Sequence, residues 1–445
     1  MFKIALSVAG SDSAAGAGIQ ADLKSFSALG VYGCTAITAI TAQNTSEVSE
    51  IFDMSPDIIR KQIEAITSDM HLDAVKIGMV HSKAAVQTVY KALRGCKAPI
   101  VLDPILASAT GSKLIDDNAF EHFKSHLIPI STVITPNLME AERLTDLQIK
   151  TVQDSINAAR IIRKLGPKNV VIKGGHTISK HATDILCINN GNIVRISNRR
   201  IKVPRIHGSG CNFSAALTAF LARGFGLIEA FRSANLYVHE SILNGFRPGR
   251  GLLVINPVYR IYEYASRYEV LNKLQQALIE IESINNFSEL IPETQSNIVY
   301  AMPNAKHVHD VAGVKGRVIR IGKIVRAAST LEFGASTHVA SAVIEYMKYN
   351  PCMRSSMNIK LDRKILRICD SLFHIASYCR RLEPENVKRK EGKSIGWGIS
   401  SALKNNPRAE IIYHRGDIGK EPMILVFSED PITVIDKVKK ILRRY

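Results

Sequence analysis

The stretch IALSVAGSDSAAGAGIQADLKSFSALGVYGCTAITAITAQN, residues 4–44, decides the fold of the first half of the chain. It holds two short, continuous apolar runs, Ile4–Ala9 and Cys34–Thr41. Strands buried on both faces read this way, whereas half-exposed strands alternate. The first run ends on Gly10-Ser11-Asp12 and the second on Gln43-Asn44. The same pattern returns at Ala74–Gly78, Ile100–Asp103, Val133–Thr135 and Val170–Lys173. Amphipathic stretches such as Pro56–Ser68, Lys83–Leu93 and Val152–Lys164 lie between the runs. This alternation predicts β-α-β units around a mostly parallel sheet, an α/β domain. Asn189-Asn190-Gly191, between two apolar runs in Asp184–Ile196, predicts a hairpin and therefore an antiparallel edge.

Ligands of such sheets bind at the carboxyl ends of the strands. The polar residues gather there: Gly10-Ser11-Asp12, Gln43-Asn44, Asp103-Pro104, Pro136-Asn137 and Lys173-Gly174-Gly175-His176, with Met79 after the third run. A series of this kind predicts one shared cleft. Two phosphate motifs fail inside it. Gly16-Ala17-Gly18-Ile19-Gln20-Ala21 matches G-x-G-x-x-A but lies too far from its strand, and the next strand ends in Gln43-Asn44 rather than an acid. Gly392-Lys393-Ser394 resembles the end of a P-loop, but Val387 stands where its first glycine belongs. A better anion site is His207-Gly208-Ser209-Gly210-Cys211, which leads into the apolar, helical Asn212–Ala222. Small residues at a helix N-terminus expose amides and the positive end of the dipole to a phosphoryl group. The same position is expected to lower the pKa of Cys211, making it a candidate base or acceptor for a substrate hydroxyl. The bland alternative is a glycine-rich helix entry with an inert cysteine.

These residues resemble, in order over about 250 positions, the hydroxymethylpyrimidine and phosphomethylpyrimidine kinases. The resemblance rests on Gly10-Ser11-Asp12 through Asp22, Thr41-Ala42-Gln43-Asn44-Thr45, Lys76-Ile77-Gly78-Met79 and Leu102-Asp103-Pro104. It continues through Thr135-Pro136-Asn137-Leu138 with Glu140-Ala141-Glu142, Lys173-Gly174-Gly175-His176 and His207 to Cys211. It implies a ribokinase-like fold, ATP as phosphoryl donor and Mg²⁺. It further implies that Gln43, Asp22 and Met79 contact the pyrimidine, and that Asn137 and Lys173 serve the nucleotide. Asp103 and Glu140 would act around Mg²⁺, and Gly208, Ser209, Gly210 and Cys211 would hold the transferring phosphate. Ser13-Ala14-Ala15, Ser209 and Ala109, the last in the flap 107–114, depart from the usual family residues. Pyridoxal kinase is a relative with the same fold, so a vitamin B6 activity stays open at this point.

Beyond Arg250-Gly251 the pattern changes, and a boundary is expected near residue 260. The expected organisation is a kinase domain at 1–258, a helical connector at 259–296 and a mixed α/β domain at 297–445. Strands are predicted at 297–301, Val318–Val325, Ile411–Tyr413 and Ile424–Phe427, with helices at Tyr262–Glu282, Ser336–Tyr349 and Pro431–Leu442. Glycines stand beside cations in 310–326 and in Arg415-Gly416-Asp417-Ile418-Gly419-Lys420, as phosphate-binding turns require. Solvated basic turns are the bland reading.

Asp310-Val311-Ala312-Gly313-Val314 with Gly316-Arg317, Phe333-Gly334-Ala335-Ser336 with His338, and Met357-Asn358-Ile359 carry a second resemblance, joined by Gly392, Trp397-Gly398 and Arg415 to Met423. This part is similar to the archaeal-type thiamine-phosphate synthase domain. The resemblance implies that Arg317 and His338 are catalytic, the first on a departing diphosphate. The alternative is a domain that senses thiamine phosphate and catalyses nothing.

The chain has 445 residues and a formal net charge of +18, spread over both halves. Diffuse charge suits phosphorylated small molecules better than a nucleic-acid surface, so no specific nucleic-acid partner is expected. The seven cysteines are scattered, with no C-x-x-C pair, which predicts neither disulfides nor a zinc site. No apolar run reaches the roughly 18 residues of a membrane span. A cytoplasmic homo-oligomer acting on small-molecule substrates is the expectation.

Overall fold

A computed structural model describes residues 2–107, 111, 114–175, 180–201, 203, 206–388, 393–417 and 421–445. Ala109, His176, Gly392 and Ile418-Gly419-Lys420, all singled out above, lie outside the described residues. The chain divides into two compact units, Met1–Ile261 and Tyr262–Tyr445.

The first unit is built on a nine-stranded sheet. Its strands are β1 (Lys3–Asp12), β2 (Val31–Gln43), β3 (Val48–Asp53), β4 (Ala74–Ile77), β5 (Ile100–Leu102), β6 (Val133–Ile134), β7 (Asn169–Ile172), β8 (His181–Cys187) and β9 (Ile193–Arg199). Their spatial order is β3-β2-β1-β4-β5-β6-β7-β8-β9. From β2 to β7 every neighbouring pair is parallel. The predicted hairpin forms the antiparallel edge β8–β9. The other edge, β3, has no counterpart among the expected strands; it reads Val48-Ser49-Glu50-Ile51-Phe52-Asp53, is half exposed, and pairs antiparallel to β2. A strand so polar carries no continuous apolar signal, and only its neighbour fixes it.

Leu6, Val8, Val75, Ile77, Leu102, Ile134 and Ile172 are buried side chains of one core. Each such side chain contributes about 1.5–3 kcal/mol by leaving water. Helix Ser209–Ala222 is apolar nearly all round and almost wholly buried. Phe213, Ala216, Leu217 and Phe220 pack with Val101, Val133 and Val171 of the sheet. The helix that carries the anion loop is therefore wedged in the core, which fixes its N-terminus.

The second unit holds a seven-stranded, mostly antiparallel sheet. Its spatial order is Leu331–Phe333, Val311–Val314, Ile298–Ala301, Ser355–Lys360, Met423–Ser428, Ile411–His414, Ile375–Ser377. Only the last pair is parallel. Two expectations are corrected. Val318–Val325 is not one strand but a hairpin of Val318–Ile321 and Ile324–Ala327, turned at Gly322 with φ 62°. Apolar residues on both sides of the turn hid it. Residues 259–296 do not stand apart as a connector. Helix Tyr259–Ser283 buries Val270, Leu274, Ala277, Leu278 and Ile281 in the second core, a stripe at helical spacing.

Candidate active sites

The first site grows from β1. Its last residue, Asp12, accepts backbone N–H groups from Ala14 at 2.8 Å, Gly16 at 3.1 Å and Ala17 at 2.8 Å. Burial works against the charge of Asp12, but the hydrogen bond from His207 and these amides outweigh it and hold its pKa below the usual carboxylate value. The opening loop is thereby folded onto one carboxylate. Gly16 is required there, because a Cβ would stand 2.2 Å from the His207 ring. Gly208, at φ 87°, would place a Cβ 1.9 Å from the Gly16 carbonyl. The opening loop and the anion loop are thus in direct contact.

Gln43 joins them. Its backbone N–H donates to Ser13 Oγ at 2.8 Å, the same hydroxyl donates back to its carbonyl at 2.6 Å, and its carboxamide lies 3.2 Å from His207 Nε2. The two features expected to hold the pyrimidine and the phosphate are therefore neighbours. Met79 is buried under Gly10, its Sδ 3.0 Å from where a Cβ would sit. Asp22 is fully buried, accepts from Ser7 Oγ at 2.6 Å and pairs with the equally buried Lys76. Burial would lower the Lys76 pKa, yet the carboxylates of Asp22 and Asp103 outweigh it and raise it. Burial raises the Asp22 carboxyl as well, against the charge and hydrogen bond of Lys76 and the hydrogen bond of Ser7.

Asp103, directly after β5, accepts from Lys173 Nζ at 2.9 Å, Ser214 Oγ at 3.0 Å and Thr135 Oγ1 at 3.2 Å. The Lys173 ammonium lies 3.2 Å from where a Cβ on Gly210 would be, so a cation stands beside the anion loop. Asn137 caps helix Leu138–Thr145: its Oδ1 accepts from the Glu140 N–H at 2.9 Å, and Glu140 returns the bond at 2.7 Å. The Asn137 carboxamide oxygen is thus committed to the cap. Glu140 is pushed up to about 7, by burial first and by the charge of Asp103 against the relief from Lys173.

The N-cap of helix Ser209–Ala222 is Gly208, which has no capping side chain. The first-turn amides are left for a ligand, as an anion site needs. Cys211 corrects the sequence expectation. Burial pushes its thiol up to about 12, and Lys76 and the Gly18 amide do not offset this. The thiol is therefore protonated at pH 7 in the unliganded site, against the lowered pKa expected from its place at a helix N-terminus.

In the second unit Arg317 lies in a turn with φ 78°, after Gly316 at φ 77°. Its guanidinium donates to the Thr294 carbonyl. Glu421 accepts from the N–H groups of Glu293 at 2.8 Å and Thr294 at 3.0 Å and from the Thr294 hydroxyl at 2.6 Å. Beside them the Asn358 carboxamide binds the Asn297 N–H at 2.7 Å and the Gln295 carbonyl at 3.0 Å. Arg317 therefore belongs to a polar cluster with Thr294, Gln295, Asn297, Asn358 and Glu421. His338 opens helix His338–Met347, on the far side of strand Leu331–Phe333 in the chain. Sequence reasoning gave no role to His207, Lys76, Ser214 or Glu421. Lys76 alone carried a signal: a lysine inside the apolar run Ala74–Gly78 must find a buried counter-ion.

Residues 12–256 match the phosphomethylpyrimidine kinase family, and residues 273–440 match the family described as thiamine-phosphate synthase ThiN. The chain is 32% identical over 446 residues, 99% of each chain, to the bifunctional thiamine biosynthesis protein ThiDN of Methanocaldococcus jannaschii. It is 43% identical to the hydroxymethylpyrimidine/phosphomethylpyrimidine kinase of Rhizobium meliloti, over 54% of this chain and 91% of that protein. Among solved structures, an ADP complex of Bacillus subtilis pyridoxal kinase aligns with 59% of this chain and all of its own, at 34% identity and a TM-score of 0.55.

Proposed function

The chain belongs to the phosphomethylpyrimidine kinase family and, as a bifunctional thiamine-biosynthesis protein, joins that kinase to a thiamine-phosphate synthase; from that premise we propose how its residues divide the work. In the first unit ATP gives its terminal phosphoryl group to the hydroxymethylpyrimidine and then to its monophosphate. The observation that carries this reading is the contact of the Gln43 carboxamide with the residue that precedes the anion loop. Gln43, with Asp22 and Met79 behind it, holds the pyrimidine. The amides of Ser209, Gly210 and Cys211 hold the phosphoryl group in transit. Lys173, kept charged by Asp103, neutralises nucleotide phosphate, and Asn137 lines the same edge.

Phosphoryl transfer depends mainly on positioning and charge neutralisation, so a neutral Cys211 is no obstacle. The sulfur accepts a hydrogen bond from the Gly18 amide, and its S–H remains a weak donor.

Asp103 and Glu140 suit a hydrated Mg²⁺ that arrives with the nucleotide. Asp103 is held ionised by Lys173 despite its burial, and Glu140, at about 7, gives up its proton readily to a cation. Among the described residues no group of three or more His, Cys, Asp or Glu is arranged to hold a metal without such help. When bound, Mg²⁺ supplies charge neutralisation between the transferred phosphates.

In the second unit Arg317 stabilises the diphosphate that leaves the pyrimidine methylene as the thiazole nitrogen attacks. His338, at a helix N-terminus, orients or protonates that group. The protein works on small molecules in the cytoplasm, as a homo-oligomer.

Purified protein with hydroxymethylpyrimidine, ATP, Mg²⁺ and hydroxyethylthiazole phosphate is expected to yield thiamine phosphate. Omitting ATP should abolish the product, and supplying the pyrimidine diphosphate should restore it. Product formation without either phosphoryl source would contradict the division of labour.

A further inference from the structure

His207 precedes the anion loop and is buried, and no part in the reaction has been given to its side chain. Its Nε2 lies 3.1 Å from Asp12 Oδ2 and 3.2 Å from the Gln43 carboxamide nitrogen. Asp12 already takes three backbone N–H groups and is an acceptor only. The hydrogen of the His207–Asp12 bond therefore resides on Nε2. A nitrogen that carries a hydrogen has no lone pair for an amide N–H. With the Gln43 NH₂ toward it, two donors would face each other.

The other end of the carboxamide leads to the same conclusion independently. It lies 3.4 Å from Thr41 Oγ1, whose single hydrogen is directed to the Ser11 carbonyl at 3.0 Å. With the Gln43 oxygen there, two acceptors would face each other. Half a turn of the carboxamide about its last torsion resolves both conflicts and moves nothing else, because its oxygen and nitrogen are nearly the same size. Gln43 Oε1 and Asp12 Oδ2 then share the single Nε2 hydrogen of His207 in a three-centre bond, and the Gln43 NH₂ donates to Thr41 with one N–H left over.

We infer that His207, fixed by Asp12, is a positioning residue that sets the hydrogen-bond polarity of Gln43, so that Gln43 offers the substrate an N–H donor. The ligand class this selects is a heteroaromatic ring with an unprotonated ring nitrogen. A ring whose corresponding nitrogen carries a hydrogen is disfavoured. The inference rests on Gln43 being the pyrimidine contact.

Steady-state phosphorylation by the full chain separates the two ideas. Leucine at 207 removes the donor, and glutamine returns one near the Nε2 position. His207→Leu is expected to raise the KM for hydroxymethylpyrimidine about tenfold, the loss of one hydrogen bond, with the KM for ATP unchanged. His207→Gln is expected to recover most of that loss. In a Gln43→Ala background the leucine substitution should add almost nothing, which a merely structural role would not produce. A pyrimidine KM unmoved by Gln43→Ala would refute the substrate contact itself. A KM raised by Gln43→Ala but not by His207→Leu, or raised equally for both substrates by His207→Leu, would refute only the role of His207. Wild-type protein labelled with ¹⁵N-histidine gives a check that needs no leucine variant. The resonance lost in His207→Gln should show a protonated Nε2, and a lone-pair Nε2 would overturn the inference.

Discussion

Arg317 keeps a backbone conformation that glycine adopts freely and arginine does not, with φ at 78°. A non-glycine residue in the left-handed region costs about 1–2 kcal/mol. Against that cost stand the guanidinium's hydrogen bond to the Thr294 carbonyl and the contact with diphosphate proposed above. Arg317→Gly is therefore expected to leave the second unit as stable or more stable in a thermal melt, while coupling to thiamine phosphate falls by about 10²-fold or more. A variant that couples normally would remove Arg317 from the chemistry. Glu140 makes a prediction of different kind. Its folded pKa of about 7 lies above the ordinary value of 4.5, so the folded chain binds more protons than the unfolded chain between those values. The stability it contributes is complete below about 4.5 and is lost as pH rises through 7, a swing of about 3 kcal/mol at most. In metal-free buffer, urea unfolding of the first unit from pH 5 to 8 should show this decline, and Glu140→Gln should flatten it. At this scale the sequence was only partly legible. Gln43, Asp103, Lys173 and the anion loop stand out by type and place. The protonation of Cys211 did not, because helix position argues for a thiolate while burial, visible only in the fold, argues more strongly against it.

The decisive element is helix Ser209–Ala222 with its glycine entry. Its apolar body reads directly from the sequence and buries it beside the sheet, which fixes its N-terminus next to Gly16 and Lys173. Gly208 must approach the Gly16 carbonyl closely and adopt φ 87°, so a side chain there meets both a clash and strain. Gly208→Ala is expected to lower the kcat for phosphorylation by about 10²–10³-fold, the loss of an aligned set of donors, with synthase activity on supplied pyrimidine diphosphate unchanged. The measurement is initial rate with each substrate separately. Strands of the first sheet were legible because burial on both faces leaves continuous apolar runs. The edge β3 and the hairpin 318–327 were not. The first is too polar to register, and in the second the turn at Gly322 interrupts a run that is apolar on either side.

At the scale of the molecule, two compact units lie in one chain. The boundary between contact units falls at Ile261, within the long helix Tyr259–Ser283, most of which packs into the second core. A change of composition near residue 260 was readable; which side the helix would join was not, because an amphipathic stripe announces burial without naming its partner. The kinase makes the diphosphate that the synthase consumes, and the residues assigned to each step lie in different units. Two variants with complementary defects test this most directly. Gly208→Ala and Arg317→Gly should each fail to make thiamine phosphate from hydroxymethylpyrimidine, ATP, Mg²⁺ and thiazole phosphate. Mixed in one tube, they should restore it through released pyrimidine diphosphate. A mixture as inactive as its parts, with both proteins folded and each retaining its other activity, would contradict the account.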